Sequence, residues 1–401
     1  MVVTPLMWKS LEKTAPFDIQ LWLCPIVWDA SQQKLLYHPF SRKLLLWACS
    51  QILGILAILV CALSIGLHFL GIAKVPFMNL STTIVNMLFF MIGIFGEFVC
   101  LFSCKEILVG FDWLVALDKK LRKVNVLWTE KRHRSPQLDL LGIYLNILIN
   151  YCIIFPYIAV PLEIYFQIDP LGQLESQILT NSNPLFAQLI ILISRILTVV
   201  AGIQTSRLIA KMVSICTILT QLILDCITNL GKMTTRLVQT WIRTNPVLRE
   251  YTCLEIILFE FLEIASNVIF LLMGQGILLL VMFNFITLKL YGHVPSALYP
   301  AAPSVSILLP IVIQTLLQML IDVFEDASRL KNRWDKELGD FGGVKYLKRR
   351  LRAVRILRWY AGIFSFKLYD LKQQVKPIYY YTIVNYTITA LLSIELPRNV
   401  K

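Results

Sequence analysis

Residues 185–230 read LFAQLIILISRILTVVAGIQTSRLIAKMVSICTILTQLILDCITNL. The stretch holds no proline, and Gly202 is its one glycine. Apolar residues recur through Leu208, Ile209, Val213, Ile215, Leu219, Leu222 and Ile223. This pattern predicts one helix of about 45 residues, about 65 Å long. A bilayer hydrocarbon core is about 30 Å thick. The first half therefore suits lipid, and the second half must project into water and find protein to pack against. This reading predicts an all-α polytopic membrane protein with a helical bundle outside the bilayer.

Working outward, apolar runs at 44–70, 83–104, 140–163, 185–206, 264–288, 304–324 and 377–396 give seven spans. Each is long enough to cross the hydrocarbon layer as a helix, which satisfies its own backbone hydrogen bonds there. The composition, 57% hydrophobic and 16% charged, agrees with this class. Segments 1–43, 105–139, 207–263 and 325–376 share one side and hold 5, 8, 6 and 14 Lys plus Arg. The other side, 71–82, 164–184, 289–303 and 397–401, holds 1, 0, 1 and 2. Positive residues are retained in the cytoplasm, so the N-terminus is predicted inside and the C-terminus outside. The first 43 residues lack a long apolar core, which predicts an uncleaved first span rather than a removable signal peptide.

The organisation that follows has four parts. Residues 1–43 form a cytoplasmic N-terminal segment. Residues 44–324 carry transmembrane helices 1–6, with cytoplasmic extensions of helices 4 and 5. Residues 325–376 hold the extension of helix 6 and a basic helix, and 377–401 hold helix 7 and a short outside tail. Pro246 suits the first turn of the helix leading into the fifth span. Leu254, Ile257, Leu258, Phe261 and Leu262 follow at helical spacing. Three helices thus leave the membrane together on the inside, which predicts a bundle with its own core.

After Gly339, Gly342 and Gly343, the basic run from Lys345 to Arg358 alternates with Leu347, Leu351, Val354 and Leu357 and predicts an amphipathic helix. Two readings stay open: a lipid-surface or docking helix, and a helix packed on the bundle opposite acids such as Glu255 and Glu260. Gly362–Lys376 reads as a loop into the final span. That span carries Tyr379, Tyr380, Tyr381, Asn385, Tyr386, Thr387 and Ser393, a polar series that in a membrane faces water or another helix.

Charge and motifs exclude several classes. The net charge of +13 tracks topology and attraction to anionic lipid rather than nucleic-acid binding. None of the nine cysteines lies in a predicted outside loop, which argues against a disulfide framework. Cys100 and Cys104, one turn apart, read as core packing. The four histidines are scattered, and no metal set, P-loop or nucleophile elbow is present, so neither cofactor, metal site nor enzyme is expected. Asn79-Leu80-Ser81 is an N-glycosylation sequon in the first outside loop.

The layout resembles the arthropod superfamily of gustatory and odorant receptors. Three features carry the resemblance: seven helices with the N-terminus inside, long inner extensions of the fourth to sixth helices, and the C-terminal stretch. That stretch runs Leu351-Arg352-Ala353-Val354-Arg355-Ile356 through Tyr360-Ala361-Gly362-Ile363-Phe364 to Asn385-Tyr386-Thr387-Ile388-Thr389-Ala390-Leu391. It looks like the gustatory-receptor tail, in which a basic helix precedes a Thr-Tyr, five apolar residues, Gln-Phe motif. Here Asn385 replaces Thr, and Leu392 and Ser393 replace Gln and Phe.

The resemblance implies a chemosensory receptor of the plasma membrane that acts as a small-molecule-gated, non-selective cation channel, a homotetramer or a heterotetramer with related receptors. It places Tyr386, Ala390, Leu392, Ser393 and Glu395 on or near the pore, with Leu392 as a constriction that closes by dewetting. It also places the ligand pocket in the outer half, where Tyr157, Gln188, Arg195, Asn284, Gln314 and Gln318 are candidates by depth. Arg195 stands out, because a charge about ten residues into a span costs at least about 2.5 kcal/mol. It either binds an acidic ligand or pairs with a carbonyl or Glu163. A transporter or lipid scramblase is the alternative, but no internal repeat or pair of broken helices supports it.

Overall fold

The computed structural model describes residues 3–20, 24–29, 31–32, 34–39, 41–72, 75–127, 139–170, 184–237, 244–339, 345–363 and 366–394. Ten α-helices and two antiparallel hairpins appear among them. In chain order they are α1 (Pro5–Gln20), β1 (Ile26–Asp29), β2 (Lys34–Tyr37), α2 (Leu45–Phe69), α3 (Phe77–Phe102), α4 (Cys104–Leu127) and α5 (Leu140–Tyr165). These are followed by α6 (Pro184–Leu237), α7 (Thr244–Lys289), α8 (Ala301–Gly339), α9 (Lys345–Ala353), β3 (Tyr360–Ile363), β4 (Phe366–Asp370) and α10 (Val375–Ser393).

Helices α2, α3, α5, α6, α7 and α8 are long and apolar enough to cross a membrane. Helix α10 fills the place of the seventh span but is more polar. Apolar side chains such as Leu45, Ile52, Leu59 and Leu63 lie exposed along α2, as expected of a face that meets lipid. Helix α6 runs unbroken for 54 residues, about 80 Å, and packs against α1, α2, α3, α4, α5, α7 and α8. Helix α3 crosses it closely at Gly93, where an added Cβ would lie 2.2 Å from Thr205 Oγ1. Small residues let membrane helices approach in this way.

Helices α2, α3 and α6 meet in a buried polar network. Glu97 of α3 accepts hydrogen bonds from Trp47 Nε1 of α2 at 3.2 Å and from Gln204 Nε2 of α6 at 2.6 Å. Arg207, also on α6, donates to Gln204 Oε1 at 2.7 Å and lies 3.9 Å from Glu97. Both charges are almost fully buried, so each needs compensation, and their proximity supplies part of it.

Beyond the membrane-spanning parts, at the end where Lys and Arg gather, the second half of α6, the first half of α7 and the second half of α8 enclose a hydrophobic core with α1, α4 and both hairpins. Trp334 of α8 is fully buried there, donates to Thr234 Oγ1 of α6 at 2.7 Å and meets Tyr251 of α7 edge-on at 5.2 Å. Trp8, Trp28 and Phe111 form a second aromatic cluster, with the two indoles stacked at 5.3 Å. Asp225 of α6 ties in the periphery: it accepts from the Val3 amide at 2.9 Å and from Arg122 of α4 at 3.0 Å. At the end of α4, Asp118 also pairs with Arg122, at 2.7 Å. Burial raises the Asp118 carboxyl above its ordinary range despite that cation.

Several elements depart from the sequence expectations. Residues 1–37 contain α1 and the β1–β2 hairpin, where a plain segment was expected. Asp29 closes that hairpin's turn by accepting from the Ser31 amide and hydroxyl, which holds its carboxyl below the usual range. A further helix, α4, follows α3 directly. Cys100 and Cys104 are buried at this junction in the core. The basic helix covers only Lys345–Ala353, not the run through Arg358. From Val354 onward the backbone carbonyls are taken by neighbours: Lys331 Nζ donates to Val354 O at 2.7 Å, and the Tyr251 hydroxyl to Arg355 O at 2.8 Å. An α-helix would need those acceptors for itself, so the chain stays extended into β3. The expected loop 362–376 is largely the β3–β4 hairpin and the start of α10. The three glycines' break falls at residues 340–344, outside the described residues apart from Gly339.

Glu97→Ala removes a buried carboxylate from beside Arg207. It should lower stability by about 3–5 kcal/mol, read as a fall in the thermal midpoint of the detergent-solubilised protein.

Candidate functional site

Away from the basic end, α3, α5, α6, α7 and α8 enclose a cavity of about 270 Å³. Its apolar wall includes Phe89, Phe155, Leu279, Phe283 and Leu309. Thr82, Asn86, Tyr151, Glu163 and Ser206 supply the polar positions. The Tyr151 ring stacks on Phe155 at 5.3 Å, and its hydroxyl meets Ser304 Oγ at 2.8 Å, which orients the ring across the α5–α8 gap. Asn86 Nδ2 donates to Glu163 Oε2 at 3.0 Å, joining α3 to the last turn of α5. Such a chamber, mostly apolar with a few converging polar groups, has the form of a small-molecule site.

A second cavity of about 180 Å³ lies toward the basic end, and Cys100, Met212, Cys216, Phe261 and Tyr379 are on its wall. Leu272, Ile313 and Leu316 border both cavities and separate them.

None of the six residues nominated from sequence depth lines the larger cavity. Tyr157 and Gln188 are exposed on the outer faces of α5 and α6, and Asn284 is half-buried on α7. Arg195 is not a lone charge: its Nε lies 3.7 Å from Asp169 Oδ2, a carboxylate just past α5, and that partner is neither Glu163 nor a carbonyl. Gln314 and Gln318 bind the last helix instead of facing the cavity. Gln314 Oε1 accepts from the Tyr380 hydroxyl at 2.9 Å, and Gln318 Oε1 accepts from Lys376 Nζ at 3.0 Å while its amide donates to Asp322 at 2.7 Å. Depth alone does not reveal which face a residue occupies, and helices α5, α6, α7 and α8 turn those residues away from the cavity. The residues that sequence reasoning missed, Tyr151 and Phe155, stand one turn apart, and that spacing was the available signal.

The final helix buries a stripe of Tyr379, Ile383 and Thr387 against α7. Tyr386, Leu392 and Ser393 lie on its exposed side. Ala390 is half-buried and packs with Leu391 and Ile394 on the cluster around Phe285 and Leu290. Glu395 lies outside the described residues. Lys289, the last residue of α7, bonds the carbonyls of Leu391 and Ile394, where a cation complements the helix C-terminus. Tyr379 donates to Met273 O of α7 at 3.1 Å, and its hydroxyl presses on Gly276, where an added Cβ would lie 2.7 Å away. Gly276 also lines the larger cavity, so one backbone position touches both the chamber and α10.

Asn79, the proposed glycosylation site, sits in the first turn of α3 and is buried, with its amide donating to Gln167 O at 3.2 Å. A glycan needs that nitrogen free, so the folded helix does not present the sequon. Among the described residues, no group of three or more His, Cys, Asp or Glu side chains is placed to hold a metal ion.

No family model matches the sequence, and no curated protein matches it. The structure has solved counterparts. It aligns with the insect olfactory receptor OR5 from Machilis hrabei with a TM-score of 0.65 and 10% identity, covering 97% of each chain. The same receptor in complex with eugenol aligns with a TM-score of 0.66 and 11% identity, again over 97% of each chain. With its long apolar helices, α10 beside them and the near-complete overlap, this chain has the seven-helix membrane fold of an insect olfactory receptor.

Proposed function

We propose that this protein is a chemosensory receptor: a small-molecule-gated, non-selective cation channel of the plasma membrane. It works as a tetramer, of itself or with related receptors, with the basic end in the cytoplasm. The observation that carries this reading is the link through Gly276 of α7 between the enclosed chamber and the last helix. A ligand that fills the chamber presses on α7 at Gly276, and Tyr379 of α10 rests on the other side of that backbone. Gln314 and Gln318 of α8 hold the same helix through Tyr380 and Lys376. Small displacements of α7 and α8 on binding are thereby passed to α10. Its exposed side, with Tyr386, Leu392 and Ser393, is the part free to meet sister subunits around a central pathway. Closure by Leu392 needs no charge, because an apolar constriction excludes water and ions by dewetting.

Two measurements test this proposal. In voltage-clamped cells expressing the chain, alone and with a related receptor, eugenol and a panel of volatile and tastant molecules should evoke cation current. Gly276→Ala forces Tyr379 aside and should move the half-maximal concentration by about tenfold, equivalent to about 1.4 kcal/mol. Tyr379→Phe in the same chain removes the clashing hydroxyl and should restore much of the shift, a coupling that independent sites would not show. Epitope tags at the two termini should be reached by antibody in intact cells at the C-terminus alone.

A further inference from the structure

We propose that the larger cavity recognises small apolar amines, with the Glu163 carboxylate as the anchor for the ligand's ammonium group. This deepens the receptor reading above and rests on it. Among the described residues that border the cavity there is no Lys, Arg or His, and Glu163 is the one carboxylic acid. Of the two Glu163 carboxylate oxygens, Oε2 accepts from Asn86 Nδ2 at 3.0 Å. The other has no hydrogen-bond partner among the described residues, and Glu163 is on the chamber wall.

The surrounding charge does not compensate it. Asp169 lies close enough to Glu163 to act on it electrostatically, and Arg195 is 3.7 Å from Asp169. Among the described residues, the guanidinium of Arg195 is engaged by Asp169 and not by Glu163 in any pair at salt-bridge distance. A carboxylate on the wall of a mostly apolar cavity calls for a donor or a cation. A ligand that carries one supplies what the protein leaves out.

The rest of the chamber fixes the body of that ligand. Phe89, Phe155 and Phe283 offer apolar and aromatic surface for a ring or alkyl chain. Tyr151 and Phe155 also line the cavity, and aromatic rings attract a cation. A free carboxylic acid is the ligand class disfavoured here, because it would meet Glu163 as a like charge.

The simpler role for Glu163 is to stitch α5 to α3 through Asn86, and the variants separate the two. Glu163→Gln keeps an oxygen for the Asn86 amide and removes the charge. Asn86→Ala removes the stitch and keeps the carboxylate. The probes are phenethylamine and hexylamine against their neutral alcohols, with eugenol as a neutral control. Binding to the full-length detergent-solubilised protein is followed by ligand-induced thermal stabilisation, and current is followed in cells.

The wild-type protein should bind the amines about tenfold or more tightly than the alcohols. Glu163→Gln should abolish that preference and leave the affinity for alcohols and eugenol within about twofold, while Asn86→Ala should keep the preference. Equal binding of amines and alcohols, or an amine preference that survives Glu163→Gln, overturns the ligand class and leaves the receptor reading standing. If neither amines, alcohols nor eugenol bind or evoke current, the amine proposal falls together with the receptor reading.

Discussion

The constraint on which the structure depends is the length of α6. At 54 residues it is far longer than a bilayer requires, so one rigid rod must satisfy two solvents. In its first part it meets α2, α3 and α5 among lipid-facing helices, where the Glu97, Gln204 and Arg207 network fixes the crossing. In its second part it provides a wall of the extramembrane core, with Leu222, Ile223, Cys226 and Leu230 fully buried. The helix transmits position from one half to the other because an unbroken α-helix bends little without a proline, bulge or inserted group.

The two halves solve different packing problems. In the membrane, lipid removes the hydrophobic drive between helices, so contact relies on small residues and buried polar pairs. Gly93 against Thr205 and the Asn86–Glu163 bond are of that kind. At the basic end, water supplies the drive, and large side chains such as Trp334, Tyr251 and Phe111 are buried in quantity. The helices α7 and α8 cross both regimes beside α6. The chamber lies in the polar-stitched half, and α10 reaches its wall through Gly276.

Much of the fold was legible because lipid imposes a strong rule on composition. A membrane helix must be apolar for about 20 residues, and this alone locates α2, α3, α5 and the apolar parts of α6, α7 and α8. The absence of proline from 185–230 likewise foretold the continuity of α6. The N-terminal hairpin, α4 and the β3–β4 hairpin were not legible in this way. The hairpins are short and depend on partners distant in sequence, such as Lys331 and Tyr251 holding the carbonyls after Ala353 ahead of β3. The site was less legible still. Tyr157 and Arg195 stand out by depth and type, but the cavity is bordered by Tyr151, Phe155 and Glu163 on another face of α5, and on α6 by Ser206, about three turns beyond Arg195.

The sequence by itself determined the class: apolar runs of spanning length, a lopsided distribution of Lys and Arg, and a proline-free helix too long for the bilayer. These follow from transfer free energies, which depend on residue type and need no coordinates. Only the tertiary structure decided which polar residues meet. The pairing of Arg195 with Asp169, the binding of Gln314 and Gln318 to α10, and the placing of Glu163 on a chamber wall all depend on helix rotation. A rotation of half a turn exchanges a lipid-facing side chain for a buried one while leaving hydropathy unchanged, so no count of residue types could have chosen between them.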